Sequence, residues 1–249
     1  MRRMRVGALF LGAWAVALGS GCADSDSMIF IRQVQARLPT GSPACVADSS
    51  PTSTSLGEGV LDVAFRTQYV ATLLVGNQLV PRGNSSQLRT ETSRVDIEGT
   101  VVRALDDSGN MIFGPVTVPG TGFIDPANDT TPSFGLIETT LFRADPALIA
   151  DLAANGGLRR SVSIVKVFGH TLGGTSIESG EWQFPVNSCY KCLISFPAEA
   201  STPPPAPRDC MMAGRTSVTV TPPCQPGQDD TMDCRVCKEL FTDPNLCEP

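Results

Sequence analysis

The sequence of 249 residues contains a single histidine, His170. A Ser-His-Asp triad would have to use that residue, yet no G-x-S-x-G motif presents a nucleophilic serine. A metal site built from several imidazoles is excluded by the same count. The nearby glycines, Gly169, Gly173 and Gly174, lack the spacing of a phosphate-binding loop. His170 closely follows a predicted strand, and we expect it to lie in a turn.

Basic residues are also in the minority, with 19 lysines and arginines against 25 acidic residues and a net charge of −6. An acidic surface is repelled by phosphate backbones, so we expect no nucleic-acid partner. The acidic residues are scattered along the chain, and their spacing marks no catalytic pair. The sequence also lacks an apolar run of the roughly 20 residues that a membrane-spanning helix needs.

The N-terminus combines arginines, an apolar stretch and a cysteine. Three of the first five residues are arginines, Ala8–Leu18 is apolar, and Gly-Ser-Gly precedes Cys22. This order predicts a secretory signal peptide over residues 1–21. The segment resembles the lipobox of bacterial lipoproteins, although Gly19 stands three places before the cysteine, where that family usually has leucine. The resemblance implies that Cys22 carries a diacylglyceryl group that anchors the chain in a membrane. An ordinary secretory signal, with Cys22 in a disulfide, is the alternative.

The residues after Cys22 indicate where the anchored protein would lie. Ala23, rather than aspartate, follows the cysteine. By analogy with lipoprotein sorting, this implies the outer membrane, on its periplasmic or cell-surface face. Residues 22–27 are predicted to be a short tether. After removal of residues 1–21, 16 basic and 25 acidic residues would remain, which is a net charge of −9.

Residues 28–200 show the two-residue alternation of half-buried strands, interrupted by turn residues. The turn at 106–110 predicts a hairpin. Asp145 and Pro146 are predicted to begin one short helix, which Gly156 and Gly157 end. The pattern predicts a mainly β fold, an antiparallel β-sandwich of immunoglobulin-like general shape. The predicted strands are 28–38, 60–65, 69–80, 94–105, 111–118, 134–142, 161–168 and 176–186, and 47–59 is predicted to be a loop.

The C-terminal part differs from the predicted sandwich in composition. Residues 201–208, STPPPAPR, are predicted to form an extended proline-rich linker. Residues 209–249 contain five cysteines and few apolar residues, so disulfides or a metal ion must hold them together. We expect an irregular, disulfide-rich appendage.

Eight cysteines remain when Cys22 is set aside, and this even number predicts disulfides in an exported protein. Seven of them follow residue 188, so complete pairing requires Cys45 to bond with a cysteine of the C-terminal part. The eight candidates are Cys45, Cys189, Cys192, Cys210, Cys224, Cys234, Cys237 and Cys247.

Four of these cysteines form two C-x-x-C pairs, Cys189 with Cys192 and Cys234 with Cys237. If the pairs met, they would bind zinc tetrahedrally, which makes these four residues the alternative metal ligands. The same spacing occurs in redox-active dithiols. Cys234 with Cys237 is the better candidate, because residues 238–241 can form a helical turn. Export favours disulfides over both alternatives, so we expect no metal and no cofactor.

A second metal hypothesis concerns the loop IDPANDTTP. Its residues Asp125, Asn128 and Asp129 offer oxygen ligands of the kind that calcium prefers. The same residues are typical of a turn stabilised by their own side chains, and we expect the turn.

The stretch Phe168–Gly174, with Ser179, Phe184–Val186 and the first C-x-x-C pair, is similar to uncharacterised cysteine-rich lipoproteins predicted in myxobacteria. That resemblance implies no activity and no site residues. We expect a non-enzymatic structural or ligand-binding module at the envelope surface, with an envelope protein or a glycan as its partner. Two alternatives stay open: a metal-handling or thiol-redox protein that uses the C-x-x-C pairs, and an envelope hydrolase or carbohydrate-active enzyme.

Overall fold

The computed structural model describes residues 28–38, 45–83, 90–197, 210 and 221–248. The predicted signal peptide 1–21, the tether with Cys22 and the proline-rich linker 201–208 lie outside the described residues. Within these described ranges, no helix is both long enough and apolar enough to cross a bilayer.

Strands make up about half of the described chain, and two α-helices and one 3-10 helix, Pro244–Cys247, accompany them. The helices are α1 (Pro146–Asn155) and α2 (Cys234–Leu240). The strands, in chain order, are β1 (Ile29–Gln35), β2 (Ser55–Leu56), β3 (Gly59–Asp62), β4 (Gln68–Asn77), β5 (Val95–Asp106), β6 (Met111–Ile124), β7 (Ser133–Arg143), β8 (Arg159–Thr171), β9 (Ser176–Glu178), β10 (Trp182–Cys189), β11 (Ile194–Ser195) and β12 (Met232–Asp233).

Two sheets pack face to face. The first has the order β2-β1-β4-β7, and all its pairings are antiparallel. The second has the order β3-β10-β8-β5-β6, with the short strand β9 also paired to β8. Strands β11 and β12 form a separate two-stranded ladder that joins the C-terminal part to the chain after β10.

The predicted mainly β sandwich is confirmed, as are the β5–β6 hairpin and helix α1. The Asp145 carboxylate accepts a hydrogen bond from Leu148 N at 2.7 Å, and Gly156, with φ 64°, ends the helix. The second sheet is mixed rather than purely antiparallel, because β3 runs parallel to β10. The predicted loop 47–59 also contains β2 and the first residue of β3.

Two further predictions need correction. His170 lies inside β8 rather than in a turn, because β5 continues to pair with that strand as far as Thr171. The predicted strand 176–186 is divided into β9 and β10 at Ser179. There the Ser179 hydroxyl accepts the hydrogen bond of Val167 N at 2.9 Å, and Ser179 forms a bridge to Ile29 of the first sheet.

The core lies between the two sheets and is built from alternate residues of their strands. Tyr69 of β4 and Phe184 of β10 pack with ring centroids 5.7 Å apart and are both fully buried. Near the opposite edge, the hydroxyls of Thr100 and Thr139 are hydrogen-bonded at 2.5 Å, which satisfies both groups inside an apolar layer.

Glycines let backbones approach closely where β5 and β8 pair. A Cβ atom on Gly169 would overlap the carbonyl oxygen of Asp96 on the neighbouring strand. The register of β5 against β8 shifts between Ile97 and Gly99 at this point, which is typical of a β-bulge.

We predict that Gly169→Ala lowers the free energy of unfolding by about 1–3 kcal/mol, because one of the two backbones must shift to make room. Gly180→Ala is the matched control, since nothing lies within 4 Å of the added carbon there. Urea unfolding of both variants measures the difference. Equal stabilities for the two variants would contradict this account of the strand contact.

Candidate functional site

The two ends of the sandwich carry different features. Met28 adjoins the start of β1 and lies at one end, which we call the Met28 end. The opposite end, which we call the tail end, gathers the end of β3, the start of β8, the end of β10 and helix α1. Residues 221–248 pack against this tail end.

Four disulfides connect the eight predicted cysteines, which confirms the disulfide prediction. Cys45 bonds to Cys224, and this is the connection between the N-terminal and C-terminal parts that the cysteine count required. The remaining bonds join Cys189 to Cys192, Cys210 to Cys234, and Cys237 to Cys247.

The two C-x-x-C pairs therefore differ. Cys189 and Cys192 bond to each other, whereas Cys234 and Cys237 bond to other cysteines and are completely buried. The structure does not bring the four sulfurs together as one four-cysteine site. One group of metal-ligand type occurs in the described part of the chain, formed by Asp62, Cys189 and Cys192, whose ligand atoms lie within 4.8 Å of one another.

Gln228 and Asp229 dock the C-terminal part onto both sheets. The Gln228 side chain acts like a neighbouring strand, because its Oε1 accepts from Val70 N at 2.9 Å and its Nε2 donates to Val70 O at 2.8 Å. The Asp229 carboxylate accepts from Val60 N at 2.9 Å and from the Tyr69 hydroxyl at 3.0 Å. Val70 and Tyr69 belong to the first sheet and Val60 to the second, so two adjacent residues connect the layers.

Asp62, at the end of β3, organises the loop that follows β10. Its Oδ1 accepts from Ala64 N at 3.1 Å and from Lys191 N at 2.7 Å. Its Oδ2 accepts from Leu193 N at 2.9 Å. Asp62 is completely buried, and its carboxylate supplies the hydrogen-bond acceptor that these amide groups would otherwise lack.

Burial raises the pKa of both docking carboxyls. Loss of water is the largest effect on Asp62, and the amide groups of Leu193 and Lys191 offset part of it. Burial likewise raises the pKa of Asp229. Hydrogen bonds from Val60 N and from the Gln228 and Tyr69 side chains lower it and offset part of this effect. A carboxyl whose pKa is higher in the folded than in the unfolded chain stabilises the fold less as it ionises.

We predict that replacing Asp229 by asparagine changes how stability depends on pH. In the wild type, the contribution of Asp229 is largest below 3.8, its ordinary pKa, and decreases as the pH rises toward its raised pKa. Asparagine does not titrate, so the stability of Asp229→Asn relative to the wild type should increase across that pH range. Urea unfolding at a series of pH values measures this. A relative stability that falls or stays constant as the pH rises would contradict the assigned direction.

A cleft of about 350 Å³, which we call the α1 cleft, lies beneath helix α1 at the tail end. Its apolar wall comes from Ile112 of β6, Phe142 of β7, Leu148 of α1 and Leu158 before β8. Ile112 and Leu158 are exposed, and Leu158 has 62% of its surface accessible. Apolar side chains from different elements thus converge on an open, apolar-walled depression.

Polar groups complete the α1 cleft. Arg143 and Arg160 line it, and within the described residues their guanidinium groups have no hydrogen-bond or ion-pair partner, whereas the Arg159 guanidinium is bound to Asp151 at 2.8 Å. Ser188 also lines the cleft, and its buried Oγ has no hydrogen-bond partner there. A buried hydroxyl without a partner is unusual in a folded protein, and a ligand or water atom in the cleft is one partner that would satisfy it.

Aspartates line the same cleft. Asp106 accepts hydrogen bonds from the backbone of its own turn, and Asp145 caps helix α1, so both carboxylates are occupied by amide groups. Asp107 lines the cleft as well, but neither a hydrogen bond nor an ion pair engages its carboxylate in the described chain.

The other sequence-predicted candidates lie elsewhere. His170 Nδ1 is 3.1 Å from Glu98 Oε1 on an exposed strand surface, and the shallow depression around it contains no serine. The Asp125 carboxylate forms an ion pair with Arg94 Nε at 3.1 Å. Asn128 and Thr131 form the bridge of a turn, which agrees with the expected turn.

Sequence reasoning missed Asp62, Gln228, Asp229 and Ser188. Only Asp62 left a signal, because it is an acidic residue inside the apolar stretch Val60–Phe65. Gln228 and Asp229 lie in a polar segment and look like ordinary turn residues. Ser188 is one serine among many, and its missing partner is visible only in three dimensions. Comparison with protein-family models gives no match, and a search of curated proteins finds none either.

Proposed function

We propose that this chain is a lipid-anchored envelope protein without enzymatic activity, which binds a small amphipathic anion in the α1 cleft. The observation that carries the proposal is the buried Ser188 hydroxyl, which lacks a partner in a cleft with apolar walls and two unpaired arginines. Binding sites of this size combine mostly apolar walls with a few polar groups that orient the ligand.

The composition of the cleft determines the class of ligand. Ile112, Leu148 and Leu158 would cover an alkyl or ring body, because burying such a body removes apolar surface from water. The guanidinium groups of Arg143 and Arg160 outnumber the one unengaged carboxylate, that of Asp107, and favour a carboxylate, sulfonate or phosphate group, which accepts their N–H donors. Exposed aromatic rings, on which sugars stack, are absent from the described lining, and this favours an amphipathic anion over a glycan.

The proposed anchor would leave the cleft accessible. An acyl group on Cys22 would be six residues before Met28, and those residues span at most about 20 Å. Met28 lies at the end opposite to the α1 cleft. Strands of up to 14 residues separate the two ends, a distance of about 45 Å. The cleft would therefore face away from the membrane that holds the protein.

The buried carboxyls do not by themselves mark a catalytic pair. Asp62 and Asp229 have raised pKa values, as catalytic acids often do. Both, however, use their oxygens to accept hydrogen bonds from the protein itself, and both connect the C-terminal part to the sandwich. Each carboxyl therefore has a structural task that accounts for its burial.

Anilinonaphthalene sulfonate, an apolar ring system with one sulfonate, is a suitable probe for the cleft. We predict that Leu158→Asp weakens its binding about tenfold or more, because the new carboxylate interrupts the apolar wall and repels the anion. Leu172→Asp, at the Met28 end, is the matched control, since Leu172 has a comparable exposure of 53%. Fluorescence titration, with near-ultraviolet circular dichroism as the check of folding, measures both. Equal weakening by the two substitutions would argue against a site in the cleft.

The sign of the ligand charge is tested by competition. Decyl sulfate should displace the probe, whereas decyltrimethylammonium, with the same decyl chain, should not. Displacement by both would mean that the apolar walls alone determine binding and that the arginines do not select an anion. It would overturn the anion part of the proposal.

The anchor has its own test. We predict that the chain with Cys22 partitions into the detergent phase of a cloud-point extraction, while Cys22→Ser partitions into the aqueous phase, because lipid chains supply the affinity for the membrane. Intact mass should show the acyl groups on the former alone. A wild-type chain of unmodified mass in the aqueous phase would refute lipidation and leave an ordinary secretory signal.

A further inference from the structure

We infer that the Cys189–Cys192 disulfide is a thiol–disulfide exchange site, in which an external dithiol attacks Cys192 and Asp62 supplies a proton to the departing Cys189. This goes beyond the proposed ligand binding and does not depend on it. Four observations support the inference: the short loop that the disulfide closes, the unequal exposure of the two cysteines, the backbone hydrogen bonds that hold this loop without the disulfide, and the position of the Asp62 carboxyl.

The first observation is that this disulfide links residues only three positions apart. The Cys45–Cys224 bond links residues 179 positions apart, and the other two link residues 24 and 10 positions apart. The entropy that a disulfide removes from the unfolded chain grows with the length of the loop it closes. The Cys189–Cys192 bond therefore stabilises the fold least, and its presence calls for another explanation.

The second observation is exposure. Among the eight bonded cysteines, all of which the structure describes, Cys192 is the exposed one. Cys189 is buried, with 1% of its surface accessible. A thiolate from solution can attack only a sulfur atom that solvent reaches. An external nucleophile would therefore attack Cys192 and release Cys189.

The third observation is that the loop has hydrogen bonds of its own. Lys191 N and Leu193 N donate to the Asp62 carboxylate, and Val63 N donates to the Cys189 carbonyl at 2.8 Å. The backbone would keep its position after the disulfide opens, so Cys189 and Cys192 would remain close enough to bond again. Cys189 Sγ also lies 3.7 Å from Leu61 O, which provides an acceptor for its thiol.

The fourth observation is the position of the acid. An oxygen of the Asp62 carboxyl and both sulfurs lie within 4.8 Å of one another. Burial raises the pKa of this carboxyl, so it holds a proton to a higher pH than an exposed aspartate does. A thiolate released inside the protein needs a proton, and one bridging water would span the separation between this carboxyl and the sulfur.

The exchange balances in two steps with a dithiol as the reductant. One thiolate of the dithiol bonds to Cys192 Sγ, the Cys189–Cys192 bond breaks, and the Cys189 thiolate takes a proton from Asp62. The second thiol of the dithiol loses its proton and attacks its own partner sulfur, which releases the Cys192 thiolate, and this is protonated from water. Two electrons pass to the protein, and the dithiol leaves as a disulfide.

The sequence had favoured Cys234 with Cys237 as the redox pair, and this is corrected. Both are completely buried and bond to Cys210 and Cys247 instead of to each other. Cys234 is the first residue of helix α2, which Asp233 caps. Its side chain packs with Cys210 in the centre of the C-terminal part. Their bonds hold that part together and are not accessible to a thiolate.

The direct test treats the whole exported chain with increasing dithiothreitol, traps thiols with an alkylating reagent, and maps the labels by peptide mass. We expect Cys189 and Cys192 to be labelled first, while the other six cysteines remain bonded and the chain remains folded. Simultaneous opening of all four bridges, or opening of another bridge first, would overturn the inference.

Single substitutions test the direction of attack. Cys189→Ser leaves Cys192 as an exposed thiol, and Cys192→Ser leaves Cys189 as a buried one. We expect the first to react with a disulfide reagent about tenfold or more faster than the second, because access controls the rate. Equal rates, or a faster reaction of Cys192→Ser, would contradict attack at Cys192.

The role of Asp62 is tested by a pH profile. The ratio of the reduction rates of the wild type and Asp62→Asn cancels the titration of the reductant itself. We expect this ratio to fall as the pH rises above 3.8, the ordinary pKa of aspartate, toward the raised pKa of Asp62, because Asp62 then loses the proton that it donates. A ratio that does not change with pH would mean that Asp62 only positions the loop, and it would remove the proton transfer from the proposal.

Discussion

The buried carboxylate of Asp62 is the interaction on which the tail end of the molecule depends. It accepts hydrogen bonds from Ala64, Lys191 and Leu193, and thereby fixes both the turn after β3 and the loop after β10. Leu193 O in turn accepts from Met232 N at 2.7 Å, beside the ladder of β11 with β12. The position of helix α2 follows, because it begins immediately after β12.

This arrangement places two carboxyl groups where water is excluded, which disfavours their ionised forms. Hydrogen bonds from the protein compensate part of the cost of burying Asp62 and Asp229. Disulfides stabilise the C-terminal part, which has little apolar surface to bury. Cys45–Cys224 closes a long loop and so restricts the unfolded chain most. A sandwich with a complete core thus carries a C-terminal part that is held by bonds and hydrogen bonds rather than by a core of its own.

Much of the sandwich could be predicted, because alternation and turn residues are local signals. The hairpin around Asp106 and the helix after Asp145 both lie where their turn and capping residues indicate. The parallel pairing of β3 with β10 could not be predicted, since about 120 residues separate strands that meet only in three dimensions. The site was harder still. Ser188 matters only because its hydroxyl lacks a partner, and Cys192 because it is exposed, and neither property is written in the sequence.

Amide hydrogen exchange of Asp62→Asn, with Asp48→Asn as the control, tests most directly whether one carboxylate holds the tail end together. Asp48 also accepts hydrogen bonds from nearby groups, Ser50 N and the Ser53 hydroxyl, but it lies in an exposed loop. The account predicts faster exchange over 190–196 and 228–236 in Asp62→Asn alone, with the centres of β5 and β8 protected as in the wild type. Wild-type protection of both segments in Asp62→Asn would contradict it.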